Sequence, residues 1–246
     1  MKHLGIVGLG NFSKFFIPHL RNHFESITVF DTKESFSNDA ENLNLIAGSL
    51  EDVLAKELII LAIPVQYLED FLITSGKLIN PNAVVLDVSS VKMKPMALME
   101  KYLPNTCEIV GTHPLFGPQS GKNGIKGLNF VICPHRQKID TLKYLYKIFE
   151  NKLELRVLER TVEEHDKQMA YVQGITHFIG RALNRMDIPD VEQKTPAYQY
   201  LLDIKRNLGG DSWDLFLTIE NENPCAKDIR DEFLHELMKL NRELEQ

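Results

Sequence analysis

The sequence has little of what marks a secreted, membrane-spanning or nucleic-acid-tracking protein. Only three cysteines occur in 246 residues, Cys107, Cys133 and Cys225. They are odd in number and far apart, form no CxxC pair and match no zinc spacing, so reduced thiols in a cytoplasmic protein are expected. Long apolar runs are missing too. The longest uninterrupted stretches are about eight residues, such as 58–65, against the ~20 that a spanning helix needs. An apolar strand and a glycine turn follow the N-terminus at once, with no signal-peptide cleavage pattern. Positive charge is not in excess: 28 Lys and Arg stand against 34 Asp and Glu, a net charge of −6. That balance speaks against nucleic acid as a partner and leaves an anionic small molecule open, because a few placed cations outvote the mean field locally.

What is present is an ordinary globular composition, 43% apolar and 25% charged. The first half alternates β-rich runs with amphipathic stretches. Strands are expected at 3–7, 26–30, 43–46, 58–63, 83–88, 108–111, 129–133 and 153–157, and helices at 12–22, 50–54, 65–78, 93–101 and 138–150. LIILAI and AVVLDV are near-continuous apolar runs, as expected of parallel strands covered on both faces. The alternation predicts a doubly wound α/β domain. Beyond residue 159 or so the apolar spacing becomes helical, with Asn223-Pro224 a natural start for the last helix. The expected division is an α/β domain at 1–156 and an all-helical domain at 157–246. Helices that cannot enclose a core alone pack on a partner, which predicts a homodimer through the helical domain.

Three segments carry chemistry. In Gly5-Ile6-Val7-Gly8-Leu9-Gly10-Asn11-Phe12-Ser13 a strand runs into a glycine turn and then a helix. Gly8 permits the turn, Gly10 lets backbone approach a pyrophosphate, and the helix N-terminus at Asn11 and Phe12 supplies a positive dipole end. Ser13 replaces the third glycine of this Rossmann-type signature. Asp31 follows the second strand, where an acid binds the adenine ribose and repels a 2′-phosphate, so NAD is the expected cofactor, with Lys33 close by. The second segment, Asp87-Val88-Ser89-Ser90-Val91-Lys92, ends a buried strand and so points at the ligand cleft, though position alone fits a Ser-rich helix cap equally well. The third, residues 111–121, places His113 where a strand gives way to a Gly/Pro-rich loop, the setting for a base titrating near neutrality. No histidine or cysteine spacing supports a metal site.

SSVK at 89–92, GTHPLFGPQSG at 111–121, HD at 165–166 and QGITHF at 173–178 together resemble the prephenate/arogenate dehydrogenases of tyrosine biosynthesis, over nearly the whole chain. The resemblance implies that His113 is the catalytic histidine and Ser90 the serine that hydrogen-bonds the substrate hydroxyl. It implies that Gln173 and His177 line the substrate site from the helical domain, and that Arg206 meets a substrate carboxylate. A solvated helix-end cation is the competing reading of Arg206. Gln119 stands where the family often has an acid, which favours prephenate over arogenate if that side chain faces the substrate. The implied reaction is NAD-dependent oxidative decarboxylation of prephenate, the alternatives being arogenate dehydrogenation or another hydroxyacid dehydrogenase. The last would carry a catalytic lysine early in the helical domain, and Lys167 there has no matching motif around it.

Overall fold

Apolar runs without alternation become the middle of a sheet. In the computed structural model, which describes residues 1–208 and 211–245, eight strands form one sheet: β1 (His3–Val7), β2 (Ser26–Phe30), β3 (Ile46–Ala47), β4 (Leu58–Leu61), β5 (Val84–Asp87), β6 (Glu108–Pro114), β7 (Asn129–Arg136) and β8 (Arg156–Glu159). Their order is β3-β2-β1-β4-β5-β6-β7-β8, parallel throughout except for the antiparallel pair β6–β7. Alternate side chains of each inner strand enter opposite cores. Leu4, Ile6, Leu58 and Ile60 join Phe16 and Phe130 on one face, whereas Val7, Ile59, Leu61 and Val85 join Leu72 and Met99 on the other. The order reverses between β1 and β4, and ligands of open α/β sheets bind beyond the strand ends at such a switch point.

The helices on the two faces are α1 (Asn11–Leu20), α2 (Phe36–Asn42), α3 (Leu50–Leu54), α4 (Val65–Ser75), α5 (Met93–Tyr102) and α6 (Ile139–Tyr146). α3 starts on a reciprocal cap in which Ser49 and Asp52 each accept from the other's backbone N–H. Several boundaries differ from the sequence expectation. The strand expected at 43–46 shrinks to β3, because α2 occupies the preceding residues and Asn44 turns the chain at φ 53°. Its Ile46 is 53% exposed at the sheet edge, so little burial rewards a longer strand. The one expected at 153–157 begins only at Arg156, after Glu154 has taken a left-handed φ of 54°. β6 and β7 outrun their predicted ends by three residues each, since each supplies the other's hydrogen-bond partners. α6 passes into a wider π turn over Lys147–Lys152.

The chain divides into two units, Met1–Val162 and Glu163–Gln246, with β8 carrying the first beyond position 156. Over the second unit the regular structure of the described residues is helical: α7 (Val162–Met169), a π stretch (Ala170–Ile175), α8 (Thr176–Met186), α9 (Pro196–Leu208), α10 (Trp213–Asn221) and α11 (Ala226–Leu244). Ser212 caps α10 by accepting from Leu215 N, and Asp187 closes α8 in the left-handed region. No described helix is long and apolar enough to cross a membrane.

Candidate active site

The ends of β1, β2 and β4 meet at the glycine turn. Gly8 adopts φ +100°, donates its N–H to Phe30 O at 2.8 Å, and lies so close to the Ala62 carbonyl that any Cβ would collide with it. Gly10 stands at the N-terminus of α1, where an added Cβ would meet nothing within 4 Å. Open space therefore lies over a helix end whose first N–H groups have no intrahelical acceptor. Asn11 is exposed at the first helical position. The Phe12 ring turns inward and stacks on Phe16, 5.3 Å between centroids, so what it can offer a phosphate is its backbone N–H. Asp31 follows β2 directly. One carboxylate oxygen accepts from Leu9 N at 2.7 Å and the other from Lys33 N at 2.9 Å. The acid thus braces the turn, and each oxygen retains a second lone pair for a ribose hydroxyl.

A buried polar cluster ties the ends of β5 and β6. Asp87 and Lys92 are 2% and 0% exposed and form an ion pair. Asp87 also accepts from the Ser89 hydroxyl, from Ser89 N at 3.1 Å and from Thr112 N at 3.3 Å. The Lys92 ammonium donates to Thr112 O at 2.6 Å, and the Thr112 hydroxyl donates to Asp87 O. The lysine stem crosses Gly111, where a Cβ would stand 3.1 Å from Lys92 Cδ and 3.0 Å from Met96 Sδ. Any larger residue there would press the stem aside by a few tenths of an ångström. Ser90 is half-buried in the turn that this cluster fixes.

His113 follows Thr112 and is 3% exposed. The sequence predicts a loop histidine just past a strand, but β6 continues to Pro114 and pairs His113 with Val131 of β7. Strand geometry sends Thr112 and His113 to opposite faces, so the histidine is set by the ladder and by the cluster behind its neighbour. Gln119 is exposed in the turn beyond. That turn is held by Gly117 N donating to Ser120 Oγ at 3.0 Å, by Gly121 N donating to Gly117 O at 2.8 Å, and by Gly121 lying against the Phe15 ring of α1.

The second unit carries its own cluster. Gln173, His177 and Arg181 follow one another at four-residue spacing, which keeps them on one side of the helix. His177 is 7% exposed, and burial, helped by the Arg181 charge, holds its pKa down at about 4. Its Nδ1 lies 3.7 Å from a carboxylate oxygen of Asp211, whose own pKa burial pushes up. Arg181 donates through Nη2 to Asp211 O and to Ser212 O at 3.0 Å, with its guanidinium 5.6 Å from the Trp213 ring centroid and 5.5 Å from that of Phe216. Arg206 is not drawn into this group. Its side chain is 73% exposed and pairs with Asp203 at 2.8 Å. Gly209 and Gly210 of the segment that suggested Arg206 lie outside the described residues. Sequence reasoning passed over Arg181, although its place one turn after His177 is legible. It passed over the pairing of Lys92 with Asp87 as well, because a lysine in a Ser-rich turn reads as solvated.

Comparison with known proteins bears on the family and the fold. Residues 18–157 match the model of the prephenate dehydrogenase nucleotide-binding domain, and residues 182–246 match a TYRAAT1-like C-terminal domain. Arogenate dehydrogenase 1 of Arabidopsis thaliana is 31% identical over 94% of this chain and 37% of its own length; arogenate dehydrogenase 2 is 29% identical over 91% and 64%. The chain thus spans under two thirds of either relative. A solved prephenate dehydrogenase from A. aeolicus, in complex with hydroxyphenyl propionate and NAD+, shares the fold at TM-score 0.76 and 21% identity, covering 100% of this chain and 93% of that one. By its sheet, its glycine turn and the family model that covers more than half of it, the chain belongs to the prephenate dehydrogenase family.

Proposed function

We propose that the protein catalyses the NAD-dependent oxidative decarboxylation of prephenate to 4-hydroxyphenylpyruvate. The observation that carries this reading is His113, a buried histidine at the carboxyl end of β6, in a sheet whose switch point bears the glycine turn. The open space over Gly10, the N-terminus of α1 and the placement of Asp31 fit a dinucleotide, with the acid favouring NAD over NADP. When bound, the nicotinamide supplies the hydride acceptor. His113 accepts the proton of the ring C4 hydroxyl as hydride leaves the same carbon, Ser90 orients that hydroxyl, and the ketone so formed stands para to the ring carboxylate. Loss of carbon dioxide then restores aromaticity, with the electron pair of the broken C–C bond entering the ring. Proton acceptance of this kind is worth ~10²–10⁴-fold.

Arogenate is the second reading, favoured by the arogenate dehydrogenase names of the two plant relatives. Gln119 favours prephenate, because an uncharged amide donates to a keto oxygen and offers nothing to pair with an ammonium. His113→Asn tests the core of the proposal. NADH formation with each substrate should fall at least ~10²-fold in kcat while NAD affinity holds, and near-normal turnover would remove His113 as the base. The helical unit exposes Leu234, Leu237, Met238 and Leu244 along α11, which supports a homodimer through that unit; a monomer in sedimentation velocity would refute it.

A further inference from the structure

We propose that Phe116 is a positioning residue: it seats the loop bearing Gln119 on α1, so that filling the dinucleotide end of α1 orders that loop for the substrate. This deepens the reading above and rests on it for what the two ends bind, but every residue involved lies in the first unit.

Phe12, Phe15, Phe16 and His19 follow one another at helical spacings of three and four, so α1 carries an aromatic stripe along its length. The Phe12 ring centroid lies 6.4 Å from that of Phe15 and 5.3 Å from that of Phe16. Phe116 is buried against the same two rings, edge-on to Phe15 at 6.3 Å and tilted to Phe16 at 6.0 Å. These are the separations of favourable ring pairs. Phe16 also stacks at 6.4 Å on Phe130, which pairs with Pro114 across the β6–β7 ladder. Between 117 and 124 the chain is exposed or half-buried except at Gly121, which lies so close to the Phe15 ring that a Cβ would collide with it. Phe116 and Gly121 thus meet the same stripe. The hydrogen bonds of the turn are local, Gly121 N donating to Gly117 O at 2.8 Å and Gly124 N to Gly121 O at 2.9 Å. Such bonds open readily unless packing holds them closed, so the two-state element is the loop itself. At the other end of the stripe, Phe12 belongs to the first turn of α1, beside the open space over Gly10. An anion held there engages the backbone of that turn and fixes the Phe12 ring, and through Phe15 and Phe16 the seat of Phe116. Gln119, three residues on, is then presented in one arrangement. Core filling alone would be served by an aliphatic side chain, which forms no ring pair.

ADP-ribose is the probe, because it fills the α1 end without a nicotinamide ring and can act on the loop only through the protein. Native-state hydrogen exchange of the full chain reads the Gly121 and Gly124 amides. In the parent, ADP-ribose should slow both ~5-fold or more. Phe116→Leu keeps an apolar side chain in the core, so ADP-ribose should still bind while the two amides no longer respond to it. Substrate KM should rise ~5-fold or more in this variant with kcat largely kept, since the ladder still holds His113. Phe15→Leu removes the ring on the other side of the contact and should uncouple the loop in the same way. A purely structural role would speed the amides equally with and without ADP-ribose, leaving the response of the parent intact. That result overturns the proposal, as does a parent loop that ignores ADP-ribose, or a Phe116→Leu enzyme that loses kcat with KM unchanged. Hydrogen exchange needs no substrate. A parent whose loop responds to ADP-ribose, yet which turns over neither prephenate nor arogenate, would sink the proposed function and leave the coupling standing.

Discussion

Acid should loosen the fold through one histidine. His177 titrates near about 4 in the folded chain, against about 6.5 for an unperturbed histidine. Between those values the unfolded chain binds more protons than the folded one, so stability rises with pH across the window and is lost as pH falls below about 6.5. The gap of about 2.5 pH units corresponds to roughly 3.4 kcal/mol in full, of which roughly 2 kcal/mol is gone by pH 5. Asp211 and Glu220 act with the opposite sign, since burial raises their pKa values and the folded chain takes up their protons first. The measurement is therefore a difference. Urea unfolding of the parent and of His177→Gln, followed by Trp213 fluorescence at pH 7.5 and pH 5, should show the parent losing roughly 2 kcal/mol more than the variant. Equal losses, or a His177 ring proton that titrates by NMR near about 6.5, would refute the burial argument.

Lys92→Met should destabilise the chain by ~3–5 kcal/mol, because it strands the buried Asp87 carboxylate; Asp87→Asn added to it should restore part of the loss in urea titrations, and a cost below ~1 kcal/mol would mean the pair is not held as described. Asp31→Ser should narrow the preference for NAD over NADP in paired kcat/KM measurements and also lower stability, since Leu9 N and Lys33 N lose their acceptor; a parent that prefers NADP would contradict the assignment. Gln119→Glu should shift the prephenate-to-arogenate ratio of kcat/KM toward arogenate by ~10-fold or more, and an unchanged ratio would take Gln119 out of the specificity.

What could be read from the sequence depended on how local the determinant was. β1 and β2 match the sequence reading residue for residue, because a short apolar run bounded by a glycine turn on one side and Asp31 on the other leaves no freedom of register. α3 matches as well, its start set by the Ser49 cap. The ends of β6 and β7 were not legible, since each strand stops where its partner stops supplying hydrogen bonds, a property of two segments at once. α2 was missed because Ser37, Asn38 and Asp39 are weak helix formers, and Phe36 and Ala40 hold the turn by packing. In the helical unit the spacing of Gln173 and His177 showed a shared stripe. Which cation joins them depends on where Asp211, Ser212 and Trp213 arrive to orient Arg181, and spacing does not report that.

The reversal of direction between β6 and β7 has a bearing on how this site can change. A parallel sheet obliges the chain leaving one strand to travel to the far rim before the next begins. Here β6 delivers the chain to the same rim from which β7 departs, and Leu115 N closes the excursion on Asn129 O at 3.0 Å. The segment with Gln119 is thus a loop out and back over one edge, pinned to α1 where the Phe116 ring meets Phe15 and Phe16 and where Gly121 meets Phe15. Residues can be added or removed between Gly117 and Gly124 without moving a single ladder bond, and His113 stays where the sheet holds it. On the roles proposed for Gln119 and His113, substrate preference would lie in this loop and proton transfer in the ladder, so a grafted loop should alter the first and leave the second alone.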